Sequence, residues 1–261
     1  MWICPTHFGV YDYICTQLND HQLMYTLNYK VTTSCCDSEG KLKLYSALQM
    51  MQDCSEMWID SEPTARKFFK NNNMTQLLAT RQVEIVRIPQ FKEELAVTTS
   101  IYEVMPMYGF RNTFIRDAQG QPCYRTWSMG AFVDLATGKL ARLSEDAIAS
   151  LTLEPKQEMN YRGRRIIPPK QGGTVLEPVR VMRADIDYNR HMNNANYVRI
   201  AMELLPEGFE VHDMRVEYRI AAKQGDLLTP TLYPIDGGYI VSLAIDNQPS
   251  AIIEFLKHPQ Q

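Results

Sequence analysis

The chain has 261 residues, 45% of them apolar, which is enough for one large domain or two small ones with a substantial core. Its 27 basic and 30 acidic residues give a net charge of −3, which argues against a dedicated nucleic-acid-binding protein. No apolar run approaches the roughly 18 residues that cross a bilayer, so no membrane span is predicted.

Residues 1–23 lack the basic segment followed by a continuous apolar segment that marks a secretory signal, and we expect them to be an N-terminal appendage or the product of an upstream start. The six cysteines include no CxxC pair, and Cys35 and Cys36 are adjacent, a spacing that rarely allows a disulfide. Cys and His residues do not cluster at the short spacings of a zinc site, so no metal and no cofactor are predicted. Reduced, mostly structural thiols favour a cytoplasmic protein.

A regular pattern of secondary structure begins near residue 24. Residues 25–34 alternate as a strand does, and apolar side chains at helical spacing predict an amphipathic helix over 42–58. Further strands are predicted at 77–88, 94–104, 109–118 and 122–134. Residues 24–151 are therefore predicted to form a first domain.

The stretch 152–174 is rich in Pro, Gly and charge, which predicts a linker. After it the same order restarts, so residues 175–261 are predicted to form a second domain. It has a strand near 175–183, a polar turn and a helix near 194–205. Four more strands are predicted at about 209–222, 227–235, 238–247 and 249–257.

The two halves correspond through their polar turns at a constant offset of 150 residues. The matched turn positions are Asp37 and Asp187, Glu39 and Asn189, and Lys41 and His191. In each half a strand and a polar turn lead into a helix, and an antiparallel meander follows. This order predicts an α+β fold in which each sheet wraps a helix and the two sheets join edge to edge as a pseudo-dimer. Only the second turn carries Asn and His, so the second half is predicted to be catalytic.

The second turn, DYNRHMNNANY at 187–197, has the residue types that hydrolysis of an activated carbonyl requires. Histidine ionises near neutral pH, so His191 suits a general base that acts on water. Asn189 can orient that water or donate to the carbonyl, and Asp187 can hold the imidazole or itself activate water.

The start of the second predicted helix offers a further element of such a site. Unpaired backbone N–H groups near Asn193 and Asn194 suit a carbonyl oxygen that carries negative charge. Taken singly, each polar residue of the turn is better explained as an ordinary helix cap or surface residue than as a catalytic one. Their combination in only one of two matching copies favours catalysis.

The motif D-x-D-x-N-x-H-x-N-N-x-x-Y, from Asp185 to Tyr197, resembles the catalytic half of the acyl-acyl carrier protein thioesterases of plants and bacteria. The first-half stretches LLATRQVEIVRIPQFKEELAVTT and TWSMGAFVDLATGKLARL resemble that family too, so the resemblance covers about 24–257. It implies a double hotdog fold, in which two long helices are each wrapped by an antiparallel sheet. It also implies hydrolysis of the thioester that joins a fatty acyl chain to the carrier's phosphopantetheine arm.

The sequence departs from the family pattern E-Y-R-R-E-C, which supplies a further Glu and a Cys to the site. Here 217–222 read EYRIAA, so Ala221 and Ala222 occupy those positions. Glu217 precedes Ala221 by four residues, roughly 13 Å along a strand, which is too far to substitute without a bulge. A cysteine nucleophile from that strand is excluded. The prediction is a water-based mechanism carried by the Asp, Asn and His of the second turn, in an enzyme that the departure leaves either impaired or retuned.

The resemblance also suggests where the substrate and its carrier bind. The acyl chain should lie in the first hotdog against the helix 42–58, where the candidate lining residues, equally at home in a plain core, are Met50, Met51, Cys54 and Trp58. Acyl carrier protein is acidic, so a basic docking surface is expected. The densest basic run, which could equally be a solvated linker, contains Arg162, Arg164, Arg165 and Lys170.

Two other functions stay open from the sequence. One is a different hotdog enzyme, either an acyl-CoA thioesterase or a hydroxyacyl dehydratase, although the dehydratase reaction abstracts a carbon-bound proton and needs no attacking water. The other is a non-catalytic acyl-binding protein that kept the tunnel after losing Glu and Cys. The chain-length preference is not predicted, and a homodimer is possible.

Overall fold

The computed structural model describes residues 24–258, which form an eleven-stranded antiparallel sheet and four α-helices. The predicted N-terminal appendage lies outside the described residues. The helices are α1 (Leu44–Ser61), α2 (Pro63–Asn71), α3 (Glu145–Ala149) and α4 (Asn194–Met202). The strands are β1 (Tyr25–Lys30), β2 (Met74–Ile85), β3 (Glu94–Met105), β4 (Tyr108–Asp117), β5 (Pro122–Asp134), β6 (Thr174–Val175), β7 (Val179–Arg180), β8 (Asp213–Tyr218), β9 (Leu227–Ile235), β10 (Gly238–Ile245) and β11 (Gln248–Leu256).

The two halves of the sheet join edge to edge, as the sequence predicts. The strand order is β1-β3-β4-β5-β2 in the first half and β8-β11-β10-β9-β6 in the second, with β7 paired to β9. Strands β2 and β8 close the junction in antiparallel register, from Thr80 opposite Glu217 to Glu84 opposite Asp213. One apolar core therefore runs through both halves, and Met51 of α1 belongs to the same buried cluster as Val198 of α4.

Helix α1 lies against the first-half sheet and buries the face that its apolar spacing predicts. It continues three residues beyond the predicted end and stops where Pro63 opens α2. Between the two helices Glu62 is extended, with φ −88° and ψ 100°, which is the conformation that a following proline favours. The predicted helix ended at residue 58, and α2 was not predicted.

Helix α4 has nine residues, half the length of α1. The predicted helix ran to 205, but Leu204 and Leu205 donate backbone hydrogen bonds three residues back, to Ala201 and Met202. This tighter winding ends the helix just before Pro206, where a regular α-helix could not continue.

Two short strands replace the single strand predicted at 175–183. Strands β6 and β7 have two residues each and both pair with β9. Pro178 lies between them and has no N–H to donate to a ladder, so the pairing is interrupted there.

The stretch 152–173 contains no helix or strand and crosses the junction of the two half-sheets. Gln82 of β2 donates to the carbonyl of Asn160, and the guanidinium of Arg162 forms ion pairs with Asp213 of β8 and Glu254 of β11. The stretch is therefore bonded to both halves. No helix among residues 24–258 is long and apolar enough to cross a membrane.

Candidate functional site

The second polar turn is a tight loop that closes on its own backbone. The N–H of Asp187 donates to the carbonyl of His191 at 3.0 Å, and the N–H of Arg190 donates to the carbonyl of Asp187 at 3.0 Å. Oδ1 of Asp187 accepts from the N–H of Asn189 at 2.9 Å. The carboxylate thus shapes the turn, while the side chains of Asn189 and His191 are exposed to solvent.

The turn leads directly into α4. The N–H of Asn193 donates to the carbonyl of Asp185 at 2.9 Å, and its side-chain oxygen accepts from the N–H of Ala195 at 2.9 Å. Asn193 is therefore the N-cap of the helix. Asn194 is the first helical residue, and its carbonyl accepts the hydroxyl of Tyr218 at 3.0 Å.

Asp185, the first aspartate of the motif, is buried and fully engaged. Its carboxylate pairs with Arg199 at 2.8 Å and accepts the N–H of Met182 at 2.8 Å. Its carbonyl accepts the amide of Asn196 at 3.0 Å. These contacts connect α4 to the segment before the turn, so Asp185 holds the turn and the start of the helix in place.

Ala221 and Ala222, which stand where the family pattern has Glu and Cys, lie beside the turn. The N–H of Met192 donates to the carbonyl of Ala222 at 2.9 Å, and the N–H of Ala222 donates to the hydroxyl of Tyr197 at 2.8 Å. Ala221 is exposed. Glu217 does not replace the missing carboxylate, because it accepts from the backbone of Ile166 and pairs with Arg219.

One contact between the turn and the first half was not foreseen from the sequence. The hydroxyl of Tyr188 donates to the carboxylate of Glu56 on α1 at 2.6 Å, and this hydrogen bond is the main reason why the pKa of Tyr188 rises to about 12. No local pattern could have indicated it, because the two residues are 132 positions apart. The second turn therefore lies against the C-terminal part of α1.

An apolar cavity of about 50 Å³, partly open to solvent, lies in the first half next to the end of α1. It is lined by Trp58, Phe68, Phe69, Gln76, Ile101, Val104, Gly109, Phe132, Leu143, Ala147, Ser150 and Leu151. Of the predicted acyl-lining residues, Trp58 contacts this space. Met51 and Cys54 are fully buried in the packed core instead.

Cys54 is a buried structural thiol. Its Sγ donates to the carbonyl of Val97 at 3.2 Å, and burial raises the pKa of the thiol to about 11. A thiol held protonated in this way is a poor nucleophile.

A second cavity lies where α1 and β1 meet the start of α4, and Met50 and the N-cap Asn193 both line it. The same space contains Asp53 and Tyr29, which the sequence did not single out. Burial raises the pKa of the Asp53 carboxyl, Glu56 adds to the rise, and a hydrogen bond from Tyr29 opposes it. Asp53 itself is exposed and lies away from the apolar face of α1, so the helical spacing of apolar residues gave no signal for it.

The predicted docking residues fall into two groups. The guanidinium of Arg162 is held by Asp213 and Glu254, so it fastens the crossing segment to the sheet. Arg164, Arg165 and Lys170 are exposed. These three are the members of the basic run that a partner could reach.

Comparisons with known proteins agree on one family. Residues 22–151 match the description "Acyl-ACP thioesterase N-terminal domain", and residues 170–247 match "Acyl-ACP thioesterase C-terminal domain". An oleoyl-acyl carrier protein thioesterase of Arabidopsis thaliana, a chloroplastic protein, is 26% identical over 179 residues, which are 61% of this chain. The chain spans about half of the length of that relative, 49%.

Solved structures show the same fold. An acyl-ACP thioesterase from Bacteroides thetaiotaomicron has a TM-score of 0.79 at 18% identity, covering 89% of this chain and 97% of its own. A 12:0-ACP thioesterase from Umbellularia californica has a TM-score of 0.79 at 13% identity, covering 93% of this chain and 100% of its own. These matches confirm the predicted α+β double hotdog.

Proposed function

The chain belongs to the acyl-ACP thioesterase family, and from that membership we propose that it hydrolyses the thioester between a fatty acyl chain and acyl carrier protein. The observation that carries the proposal is the second polar turn. It presents Asn189 and His191 to solvent at the entrance of α4, in the half that matches the C-terminal domain of the family. The equivalent turn of the first half has Glu39 and Lys41 at these positions.

The proposed reaction uses water directly. His191 takes a proton from water, and the water oxygen forms a bond to the thioester carbon. The tetrahedral intermediate collapses as the carbon–sulfur bond breaks, and His191 returns the proton to the phosphopantetheine sulfur. The products are a fatty acid and the carrier thiol, so no atom is left unaccounted for.

The other polar residues of the site position the attacking water and stabilise the negative charge that develops on the carbonyl oxygen. Asn189 orients the water or donates its amide N–H to the carbonyl oxygen as negative charge develops there. The N–H of Asn194, at the first turn of α4, is a second donor for that oxygen. Asp187 acts through the turn, because its carboxylate accepts the N–H of Asn189. Asn193 acts as the helix cap.

The acyl chain is proposed to enter the first half. Tyr188 holds the turn against Glu56 of α1, and Trp58, two residues further along α1, lines the apolar cavity. We propose that the hydrocarbon chain of a thioester held at the turn extends along α1 toward that cavity. Apolar lining suits a hydrocarbon. The chain length that fills the space is an experimental question.

A comparison of carriers tests the proposed substrate. Purified protein is given the same acyl chain on acyl carrier protein and on coenzyme A, and kcat/KM is measured for each. We expect a clear preference for the carrier protein. A preference for coenzyme A would identify an acyl-CoA thioesterase instead, and tight acyl binding without release of thiol would identify an acyl-binding protein.

Carrier docking is proposed to use the exposed basic residues of the crossing segment. Charge reversal at Arg164 and Arg165 should raise KM for acyl carrier protein thioesters and leave KM for a small acyl thioester unchanged, since only the carrier is acidic. Lys139→Glu, at an exposed lysine of the turn after β5, is the control for reversal of a single charge, to be compared with the reversal of Arg164 or Arg165 alone. Equal rises in KM for both substrates would exclude docking at this segment.

A further inference from the structure

Two arginines are buried on one face of the first-half sheet. Arg81 of β2 is 5% exposed and Arg111 of β4 is 6% exposed. Both are register partners of Ser128 on β5, the strand between them. Directly paired residues of neighbouring strands point to the same face, so the two guanidiniums stand on one side, on backbones roughly 10 Å apart.

Neither guanidinium is neutralised within the described part of the chain. Among residues 24–258 no Asp or Glu forms an ion pair with Arg81 or Arg111. Arg111 donates one bond, from Nη1 to the hydroxyl of Thr99 at 3.2 Å. Nη2 of Arg111 and Nε of Arg81 have no hydrogen-bond partner there.

Two other arginines near the core of this sheet behave differently. Arg162 and Arg215 both pair with Glu254, and Arg215 does so through two nitrogens. Burial without a counter-ion lowers the pKa of Arg111 to about 10 and also lowers that of Arg81. Two uncompensated buried cations are costly to the folded protein, and a ligand of opposite charge would offset that cost.

The surroundings of the pair include an apolar space. The guanidinium of Arg111 lies 4.4 Å from the ring centroid of Trp58, and Trp58 lines the apolar cavity. Ile101, the register partner of Arg111 on β3, and Gly109, on the same face of β4, line it too. A positive charge thus borders the space proposed for a hydrocarbon chain.

The second arginine connects this region to the candidate catalytic turn. Arg81 is the register partner of Val216 on β8, and Tyr218 lies two residues further along that strand, on the same face. The hydroxyl of Tyr218 donates to the carbonyl of Asn194, at the start of α4. The arginine pair therefore lies between the entrance of α4 and the apolar cavity.

We propose that Arg81 and Arg111 form an internal binding site for the carboxylate of a free fatty acid whose hydrocarbon tail occupies the apolar cavity. Guanidinium groups match a carboxylate in charge and in hydrogen-bond geometry. The identity of the ligand rests on the proposed function, because a fatty acid is the product of that reaction. The site retains the product and makes it an inhibitor that competes with the acyl substrate.

Paired ligands of equal length test the site by direct binding. Dodecanoate and dodecanol share one tail, and their dissociation constants are measured by calorimetry. The wild-type protein should bind the carboxylate at least about tenfold more tightly than the alcohol. Arg111→Gln should remove that preference and leave the affinity for the alcohol unchanged.

The matched control is Arg116→Gln. Arg116 lies on the same strand and also stacks on an aromatic ring, 4.7 Å from the centroid of Phe114, but Phe114 does not line the cavity as Trp58 does. This variant should keep the carboxylate preference. The proposed site would be refuted if both variants lost the carboxylate preference. It would also be refuted if Arg111→Gln lost affinity for dodecanoate and dodecanol equally.

A second variant guards against a folding defect. Arg111→Met replaces an uncompensated charge by an apolar side chain of similar length, so its Tm should equal or exceed that of the wild type while the carboxylate preference disappears. A lower Tm with the preference retained would show that Arg111 is structural. Binding is measured without turnover, so a protein that prefers the carboxylate yet releases no thiol from acyl carrier protein would refute the proposed function and leave this site standing.

Discussion

The two polar turns of this chain have nearly the same backbone and different side chains. In the first turn the N–H of Asp37 donates to the carbonyl of Lys41, Gly40 donates back to Asp37, and Oδ1 of Asp37 accepts from Glu39. The second turn repeats these three bonds 150 positions later. Both turns lead into a helix at the same offset, since α1 begins at Leu44 and α4 at Asn194.

The difference lies in what the turns present. In the first, Lys41 and Glu39 neutralise each other in an ion pair of 2.7 Å. In the second, Asn189 and His191 take these places, and neither forms an ion pair within residues 24–258. The backbone is therefore a common scaffold, and its chemistry depends on which side chains it carries.

A third turn shows how general the scaffold is. Between β4 and β5, Oδ1 of Asp117 accepts from the N–H groups of Gln119 and Gln121, and Gly120 has a φ of 77°. No helix follows this turn. An aspartate that caps such a loop is therefore structural in its own right, and catalysis has to be tested at the histidine.

The largest expected effect is a difference in kcat between equivalent variants of the two turns. His191→Ala should lower kcat by about 100-fold, since it removes the proposed general base. Lys41→Ala, the equivalent change in the first turn, should leave kcat within about twofold. Steady-state release of thiol from acyl carrier protein thioesters measures both. A similar fall in the two variants would contradict the division into one catalytic and one structural copy.

The next largest effect is on the stability of the protein and concerns the residue two positions before the aspartate of each turn. Asp185→Ala removes a buried ion pair with Arg199 and a bond from the backbone of Met182, and should cost about 2–3 kcal/mol of the free energy of unfolding. The equivalent residue, Cys35, has only weak sulfur contacts. Cys35→Ala should therefore change stability by less than about 0.5 kcal/mol. Denaturant titration of the two variants measures the loss of unfolding free energy in each. Equal losses would show that Asp185 and Cys35 stabilise their turns to the same extent.

A smaller effect is expected at the helix caps. Asn193→Ala should destabilise by about 1 kcal/mol, because its side chain accepts the N–H of Ala195. The equivalent Lys43 makes no side-chain cap, so Lys43→Ala should be close to neutral. Thermal unfolding of the two variants compares them. If Asn193→Ala lowered kcat without lowering Tm, Asn193 would act on the substrate and not as a cap alone.

The smallest effect concerns the left-handed residue of each turn. Arg190 has a φ of 64°, where its counterpart is Gly40 with a φ of 79°. Arg190→Gly should stabilise by up to about 1 kcal/mol, since a side chain at this φ is strained. Gly40→Ala should destabilise by a similar amount, although the added Cβ would meet nothing closer than 3.9 Å. Urea titrations should show changes of opposite sign in the free energy of unfolding of the two variants. Changes of the same sign would refute backbone strain as the cause.

The sequence predicts the fold well because its signals are local. Alternating strands, helical spacing and the 150-residue offset place nearly all of the elements and the edge-to-edge junction. Prolines account for the main differences. Pro63 separates a second helix from α1, Pro178 divides one predicted strand into two, and Pro206 shortens α4.

The site is predicted less completely because its partners are distant in sequence. The turn itself is a local motif and could be found, but the contact of Tyr188 with Glu56 depends on how the two helices pack. Arg81 and Arg111 become neighbours only because β5 lies between β2 and β4 in the sheet. Arg162 reads as part of a basic surface run until the sheet supplies its two carboxylate partners.

The central claim, that one copy of a duplicated turn hydrolyses a fatty acyl thioester, is tested most directly by a single turnover. Protein in excess over a fatty acyl carrier protein is quenched at intervals, and the free fatty acid, the carrier thiol and the mass of the intact protein are measured. Fatty acid and thiol should appear together at one rate, with no acyl group attached to the protein. An intact thioester that remains bound, or an acylated protein, would contradict the claim.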